Sequence, residues 1–187
     1  ATMLHDVATT QKPQDEYGLV QFEEGYIFRN NRAITSTPDI ALTEFVANAW
    51  DAGAFHVNIV IPTEEGDTIS VEDDGTGMSD EEFRQRWMTL NYDRQKRQGK
   101  EVTFPAGTQA YRRIAYGKNG VGRHGMLCFS DYYIVETWQD GMCNKYDLTV
   151  SSGTEPFKIS HYMQYPKRDT EQKSAHIFTA ICQIRKL

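Results

Sequence analysis

The stretch TPDIALTEFVANAWDAGAFHVNIVIPTEEGDTISVEDDGTGM, residues 37–78, decides the fold. It opens on helix signals. Thr37 is a capping residue type, Pro38 suits the first helical position and Asp39 complements the positive end of the helix. Gly53 supplies the stop. The next residues alternate, so that Phe55, Val57, Ile59 and Ile61 fall on one face of a strand. TISVED, residues 68–73, reads as a second strand paired with the first. It runs straight into Asp73, Asp74, Gly75 and Gly77. Asp-Gly is a common turn dipeptide, and a solvated turn is the plain reading. A ligand floor is the sharper one. A carboxylate at a strand end can accept a hydrogen bond from an exocyclic amine, and glycines let a flat ring approach the backbone without Cβ atoms in the way.

The helix itself carries a second signal. Glu44, Asn48 and Asp51 stand at i, i+4 and i+7 and share one face. Alone, that is a solvated polar stripe as readily as a site. Asn is a poor helix-interior residue on intrinsic propensity, so its position asks for a reason. An Asn one turn from a Glu offers an oxygen to a hard cation beside a candidate general base.

Downstream, SDEEFRQRWMTL (79–90) predicts a second helix, with Ser79 and Glu82 as a capping box and Phe83, Trp87 and Leu90 along one face. Residues 91–116 are polar, basic and weakly periodic, too long for an ordinary connection and hence a functional or mobile loop. GKNGVGRHGMLCFS (117–130) reads as a glycine-rich turn into a short helix. Three strand-like runs follow, YYIVETW, NKYDLTV and FKISHYM, with Asp140-Gly141 as a turn between the first two; HIFTAICQI lies near the end. The pattern is α+β, a mostly antiparallel mixed sheet with helices on one face. Residues 1–16 are polar and read as loose, leaving 17–187 as a single domain.

Bulk properties narrow the classes. A chain of 187 residues with 39% apolar and 12% aromatic residues folds as one globular domain with its own core. The net charge of −6 gives no overall attraction to nucleic acid or anionic membranes, and no apolar run is long enough to span a bilayer. Cys128, Cys143 and Cys182 are scattered and show no metal spacing, which favours reduced thiols in a cytoplasmic protein. His5, His56, His161 and His176 show no metal spacing either.

The run from Gly117 to Gly125 places successive backbone N–H groups before a helix, an anion-binding arrangement. Gly120, Gly122 and Gly125 also spell GxGxxG, and Glu136 ends the next strand, imitating a dinucleotide-binding fingerprint. Three points reject it. The motif is weak alone, a long polar loop precedes it, and the chain lacks repeated β-α-β alternation. No GxxxxGK[ST] occurs, so a P-loop is excluded.

Taken in order, ExxxNAxDA (Glu44–Ala52), DxGxG (Asp73, Gly75, Gly77) and GxxGxG (Gly117, Gly120, Gly122) resemble the motifs of the GHKL superfamily of ATP-binding domains. That group contains DNA gyrase B subunits, the ninety-kilodalton heat-shock chaperones, histidine kinases, MutL and MORC proteins. The resemblance covers about residues 30–185 and is nearest to MORC-like or uncharacterised prokaryotic members. It implies a Bergerat-type two-layer α/β sandwich with ATP between helices and sheet under a long lid, about residues 91–122. It implies that Asp73 reads the adenine amino group, with Gly75, Gly77 and Met78 around the ring and Asp74 a solvated neighbour. Asn48 would coordinate Mg²⁺, with Asp51 and Ala52 beside it. The backbone of Gly117, Lys118, Asn119, Gly120, Val121 and Gly122, with Arg123 following, would cradle the phosphates. Glu44 would align and activate the attacking water.

The resemblance further implies an ATP-driven switch that dimerises on ATP binding, coupled to a transducer or effector domain; any nucleic acid would be met through other domains, with no membrane involved. A phosphate-contacting lysine from a transducer domain is missing from this chain, which predicts Mg-ATP binding with slow turnover. Histidine-kinase phosphotransfer is the first alternative, and Glu44 argues against it. A non-hydrolysing nucleotide-binding module and a chaperone ATPase domain are the others. The family's Gly-Thr near the last strand is replaced here by Ser174-Ala175, which leaves that part of the adenine site unassigned. Among the remaining residues, Arg94, Lys96, Arg97 and Lys100 read as a solvated basic face, and Arg112 and Arg113 as candidate lid-to-phosphate contacts. His124 could hydrogen-bond phosphate or serve the helix start, and Trp50 and Trp87 read as core and edge packing.

Overall fold

A computed structural model describes residues 37–64, 66–109, 111–117, 120, 122–150 and 157–166, and the backbone of 178–183. The expectations for residues 1–16, Lys118, Asn119, Val121, Ser174-Ala175, His5, His176 and the Cys182 side chain lie outside these residues.

Helix α1, Pro38–Asp51, follows the sequence pattern closely. Pro38 occupies the first turn with Asp39, and Gly53 takes φ +76° just past the end. Thr37 is the capping residue, but its side chain makes no capping hydrogen bond. The helix buries Ala41, Phe45 and Ala49 on one side and leaves Val46 and Trp50 partly exposed on the other. Strands β1 (Val57–Val60) and β2 (Thr68–Asp73) pair antiparallel, as the alternation predicts.

The second helix differs from expectation. Only α2, Asp80–Glu82, is α-helical, and its Ser79–Glu82 capping box is formed in both directions. Phe83–Trp87 then widens into a π-helical turn, closed by the Met88 N–H on the Phe83 carbonyl. The aromatic packing accompanies the wide turn. Phe83 lies flat on Tyr146 with centroids 3.6 Å apart, and Trp87 stacks near it at 5.7 Å. Such turns recur where a helix serves a site.

A short helix α3, Arg94–Gln98, and a 3₁₀ turn, Gly122–Cys128, precede the sheet strands β3 (Tyr132–Gln139), β4 (Met142–Val150), β5 (Phe157–Pro166) and β6 (Phe178–Gln183). The six described strands lie in the order β1-β2-β6-β3-β4-β5, and every described pairing is antiparallel. α1 and the 3₁₀ turn pack on each other, and the core unites them with the sheet through Ala41, Phe45, Val71, Met126, Tyr133 and Leu148. The outcome is a two-layer α+β sandwich. One feature of its topology matters for the site. β6 comes from late in the chain yet lies between β2 and β3, so the DxGxG turn that ends β2 follows a strand paired on both sides, with β1 on one and β6 on the other.

Among the described residues no helix is long and apolar enough to cross a membrane. Neither Cys128 nor Cys143 is in a disulfide.

Candidate functional site

β2 delivers Asp73 to its end with the side chain turned inward, which the alternation of buried and open positions along the strand requires. Asp73 is only 5% exposed. Its Oδ1 accepts the Gly75 N–H at 2.9 Å, and Oδ2 has no protein partner among the described residues. Burial, with Asp74 and Glu72 nearby, pushes the carboxyl up from 3.8 to about 7, against the pull of the Gly75 N–H.

The glycines that follow are sterically required. A Cβ on Gly75 would stand 2.6 Å from the Ala52 Cβ and 2.8 Å from Asp73 Oδ1. Gly77 takes φ +64°, and a Cβ there would collide with the Trp138 carbonyl on β3. The Thr137 hydroxyl accepts the Met78 N–H at 2.7 Å and locks the turn onto the sheet. Asp74 corrects the expectation of a solvated neighbour. It accepts N–H groups of Phe55 and His56 at 2.7 and 2.8 Å and pairs with the His56 ring at 2.9 Å, which ties the turn to the start of β1 and holds its carboxyl below the usual range.

A cleft of about 710 Å³, the open space at its mouth included, lies between α1 and this turn. Asn48, Asp51 and Ala52 of α1 form one wall; Asp73, Thr76, Gly77 and Met78 form another. Arg86 and Trp87 of the π-helical turn, and Tyr92, Arg94 and Gln98 from the following segment, close it with Arg123. Three arginines thus line one cleft in a protein of net charge −6. Arg86 pairs with Glu82, and Arg94 stands 3.8 Å from Asp51 while donating to the Asp51 and Gly99 carbonyls. Arg123 donates to the Arg86 carbonyl and lies over the Tyr92 ring at 5.2 Å.

The remaining predicted residues adjoin the cleft. Glu44 is one helical turn from Asn48, and its carboxyl faces Gly122, where a Cβ would overlap it. Burial and then the charge of Asp51 raise its pKa. Asp51 Oδ1 and Oδ2 accept the Tyr116 and Gly117 N–H groups at 2.7 and 2.8 Å. A Cβ on Gly117 would stand 2.7 Å from Asp51 Oδ2, and one on Gly120 would stand 2.7 Å from an Arg123 Nη. The Asn48 side-chain amide lines the cleft with no protein partner among the described residues. It therefore has an oxygen to offer a hard cation. The described residues contain no cluster of three His, Cys, Asp or Glu that could hold a metal by themselves.

Two expectations are overturned. Arg94 is not a solvated charge; it is buried at the end of α1. Arg112 and Arg113 do not reach the cleft. Arg112 pairs with Glu101 on the surface. Arg113 is 5% exposed, donates to the Trp50 and Ala54 carbonyls and lies over the Trp50 ring at 4.3 Å, so it caps the C-terminal end of α1. Of the two readings of His124, the structural one holds. It is buried with Nδ1 on the Tyr133 hydroxyl at 3.1 Å, and burial drives its pKa down to about 3. The sequence reading missed Arg86, Tyr92 and Arg94. The signal for Arg94 was present in Asp93, which accepts the Lys96 N–H as a helix cap and so fixes which face of α3 turns inward.

The family model for histidine kinase-, DNA gyrase B- and HSP90-like ATPases matches residues 35–176. The chain belongs to that family. The match spans all three glycine- and acid-bearing motifs and the whole cleft. A crystal structure of the ATPase and transducer domains of DNA topoisomerase II from Balamuthia mandrillaris is similar in fold, with a TM-score of 0.50 at 16% identity. That match covers 78% of this chain and 36% of the topoisomerase chain, so this GHKL-type domain spans about a third of that neighbour's length. Among curated proteins none matches the chain closely enough to count as a relative.

Proposed function

We propose that this ATP-binding domain binds Mg-ATP in the cleft between α1 and the β2 turn, hydrolyses it slowly and acts as a conformational or dimerisation switch within a larger protein. The observation that carries the reading is the shared opening of Asp73 and Asn48 into one cleft that also holds three arginines. Asp73 Oδ2 would accept the adenine amino group, with Gly75, Gly77, Met78 and Ala52 leaving room for the ring. Asn48 would hold Mg²⁺, which when bound offsets phosphate charge and orients the phosphates. Gly117, Gly120 and Gly122 would give the phosphates access to backbone N–H groups, with Lys118, Asn119 and Val121 between them.

Glu44 is the residue assigned to hydrolysis. Its raised pKa makes it a better proton acceptor than an exposed glutamate, and its carboxyl already faces the glycine loop. Asp51 is assigned a positioning role. Both its oxygens hold lid N–H groups, so it fixes the loop over the ligand rather than touching it.

The test is a calorimetric titration of a non-hydrolysable ATP analogue with Mg²⁺ into the wild type and Asp73→Asn. Binding that the substitution abolishes supports the reading. No binding by folded wild-type protein overturns it. Unchanged turnover in Glu44→Ala would leave a binding module without hydrolysis.

A further inference from the structure

Three buried polar side chains, none of them assigned a role above in holding the nucleotide, meet at one point. The Trp87 indole N–H donates to the Tyr133 hydroxyl at 3.1 Å, and His124 Nδ1 lies 3.1 Å from the same oxygen. The Trp87 and His124 rings meet edge to face with centroids 5.8 Å apart. All three side chains belong to buried residues, and Tyr133 is wholly enclosed. They come from three elements: Trp87 closes the π-helical turn, His124 sits in the 3₁₀ turn and Tyr133 is on β3. Apolar side chains of similar size would fill the same space with no polar atom to satisfy. Apolar contact is non-directional. A buried hydrogen bond holds only over a narrow range of distance and angle, and breaking it leaves costly unpaired groups. The Tyr133 hydroxyl therefore fixes how the 3₁₀ turn sits against the π-helical turn and the sheet.

The 3₁₀ turn begins at Gly122, two residues before His124. Gly122 packs so closely on Glu44 that a Cβ would overlap the carboxyl, and a Cβ on Gly125 would stand 2.8 Å from the Phe45 ring. Small displacements of this turn therefore change what the end of the glycine-rich loop presents to Glu44. Trp87 lines the cleft, whereas Tyr133 is not among the cleft residues. Tyr133 reaches the cleft through Trp87 and the loop through His124. Burial, and then the charge of Arg123, bring the His124 pKa down to about 3, so the imidazole is neutral and the link is the same from pH 6 to pH 8.

We propose that Tyr133 is a positioning residue for nucleotide binding: its hydroxyl registers the glycine-rich loop, through His124, against the cleft wall at Trp87, so that the phosphates meet a loop already in place. The proposal rests on the nucleotide-binding reading above.

Calorimetry would compare adenosine and a non-hydrolysable ATP analogue, each with Mg²⁺, on the wild type, Tyr133→Phe, His124→Asn and His124→Leu. Without the hydroxyl the loop holds its binding arrangement for only part of the time. Tyr133→Phe should therefore bind the analogue about threefold to tenfold more weakly, the range of one net hydrogen bond, with adenosine unchanged. His124→Asn keeps a polar atom near the Nδ1 position and should bind the analogue more tightly than His124→Leu, which offers none. Hydrogen exchange in ligand-free Tyr133→Phe should quicken over residues 122–128 and not over β4. Equal losses for adenosine and the analogue, an undiminished affinity for the analogue, or exchange that quickens equally over β4 would make Tyr133 a core residue only and overturn the proposal. Should Tyr133→Phe not fold, the two His124 variants decide. A tighter analogue complex in His124→Asn than in His124→Leu supports the proposal; equal affinities overturn it. A wild type that binds neither adenosine nor the analogue would sink the nucleotide reading and the proposal with it, whereas a binding wild type with unaffected variants sinks the proposal alone.

Discussion

Asp73 makes the pH dependence of this protein two-sided. The carboxyl is pushed up from 3.8 to about 7 in the folded chain, chiefly by burial. At about 1.4 kcal/mol per pH unit, ionising it inside the fold costs about 4 kcal/mol relative to the unfolded chain. Between pH 3.8 and about 7 the folded state binds more protons than the unfolded state at this position. Stability from this group therefore rises as pH falls through 7 and is fully present below the unfolded value. On the proposed contact between Asp73 and the adenine amine, nucleotide binding would run the opposite way, because the carboxylate is the stronger acceptor. With half-titration near 7, the ionised fraction falls from about 0.9 at pH 8 to about 0.1 at pH 6, a loss of about tenfold in apparent affinity. At pH 7 binding should release about half a proton per nucleotide. The assay is titration calorimetry in buffers of different ionisation enthalpy, beside urea unfolding of the ligand-free wild type and Asp73→Asn across the same range. The difference between the two chains isolates this carboxyl from every other titration. A wild type whose affinity is flat from pH 8 to pH 6, or whose stability follows that of Asp73→Asn at each pH, would refute the reasoning.

Other outcomes are expected from the same geometry. Gly77→Ala combines φ +64° with a collision at the Trp138 carbonyl, so it should lose ligand binding and lower the unfolding midpoint in a urea titration. Glu44→Gln should bind the ATP analogue near wild-type affinity while phosphate release falls to background; retained turnover would remove Glu44 from the chemistry. Asp51→Ala frees the Tyr116 and Gly117 N–H groups, and hydrogen exchange over residues 111–117 should quicken without a matching change in the β4 strand. Phe83→Ala empties a fully buried position stacked on Tyr146 and should cost about 3–5 kcal/mol by urea unfolding.

The elements that carry strong local signals were legible in the chain. Pro38, Gly53, the alternation through Val57–Ile61 and the Ser79–Glu82 box each act through neighbours only a few residues away, and each element forms where they place it. The three motifs were legible too, because glycines forced by close approach leave a mark in sequence. What escaped was long-range. Phe83 and Trp87 keep helical spacing, yet they meet Tyr146 and Tyr133 from strands some fifty to sixty residues later, beside a turn wider than an α-helix. Nothing local announces that. The same distance hid Asp74, whose hydrogen-bond partners are Phe55 and His56, just ahead of β1.

The segment from Asn91 to Gly117 shows why its basic residues were misread. Charge runs are usually solvated, but here two of the cations are consumed by carbonyls at the C-terminal end of α1. Arg94 takes Asp51 and Arg113 takes Trp50 and Ala54. These carbonyls lie at or just past the negative end of the helix dipole, where the Trp50 carbonyl also accepts the Gly53 N–H, so buried guanidinium groups complement that end of the helix. Arg113 adds the rings of Trp50, Phe104 and Tyr111 around it. The consequence is mechanical. The segment proposed to cover the ligand is fastened at the Asp73 end of α1, through Arg94, which also lines the cleft, and Arg113, which does not reach it. Its glycine-rich end lies against Glu44, at the other end of the same helix. These contacts fix the base of the segment on α1. Ligand-dependent hydrogen exchange should therefore be confined to residues 117–123; protection spreading equally over 94–113 on nucleotide binding would contradict a fixed base.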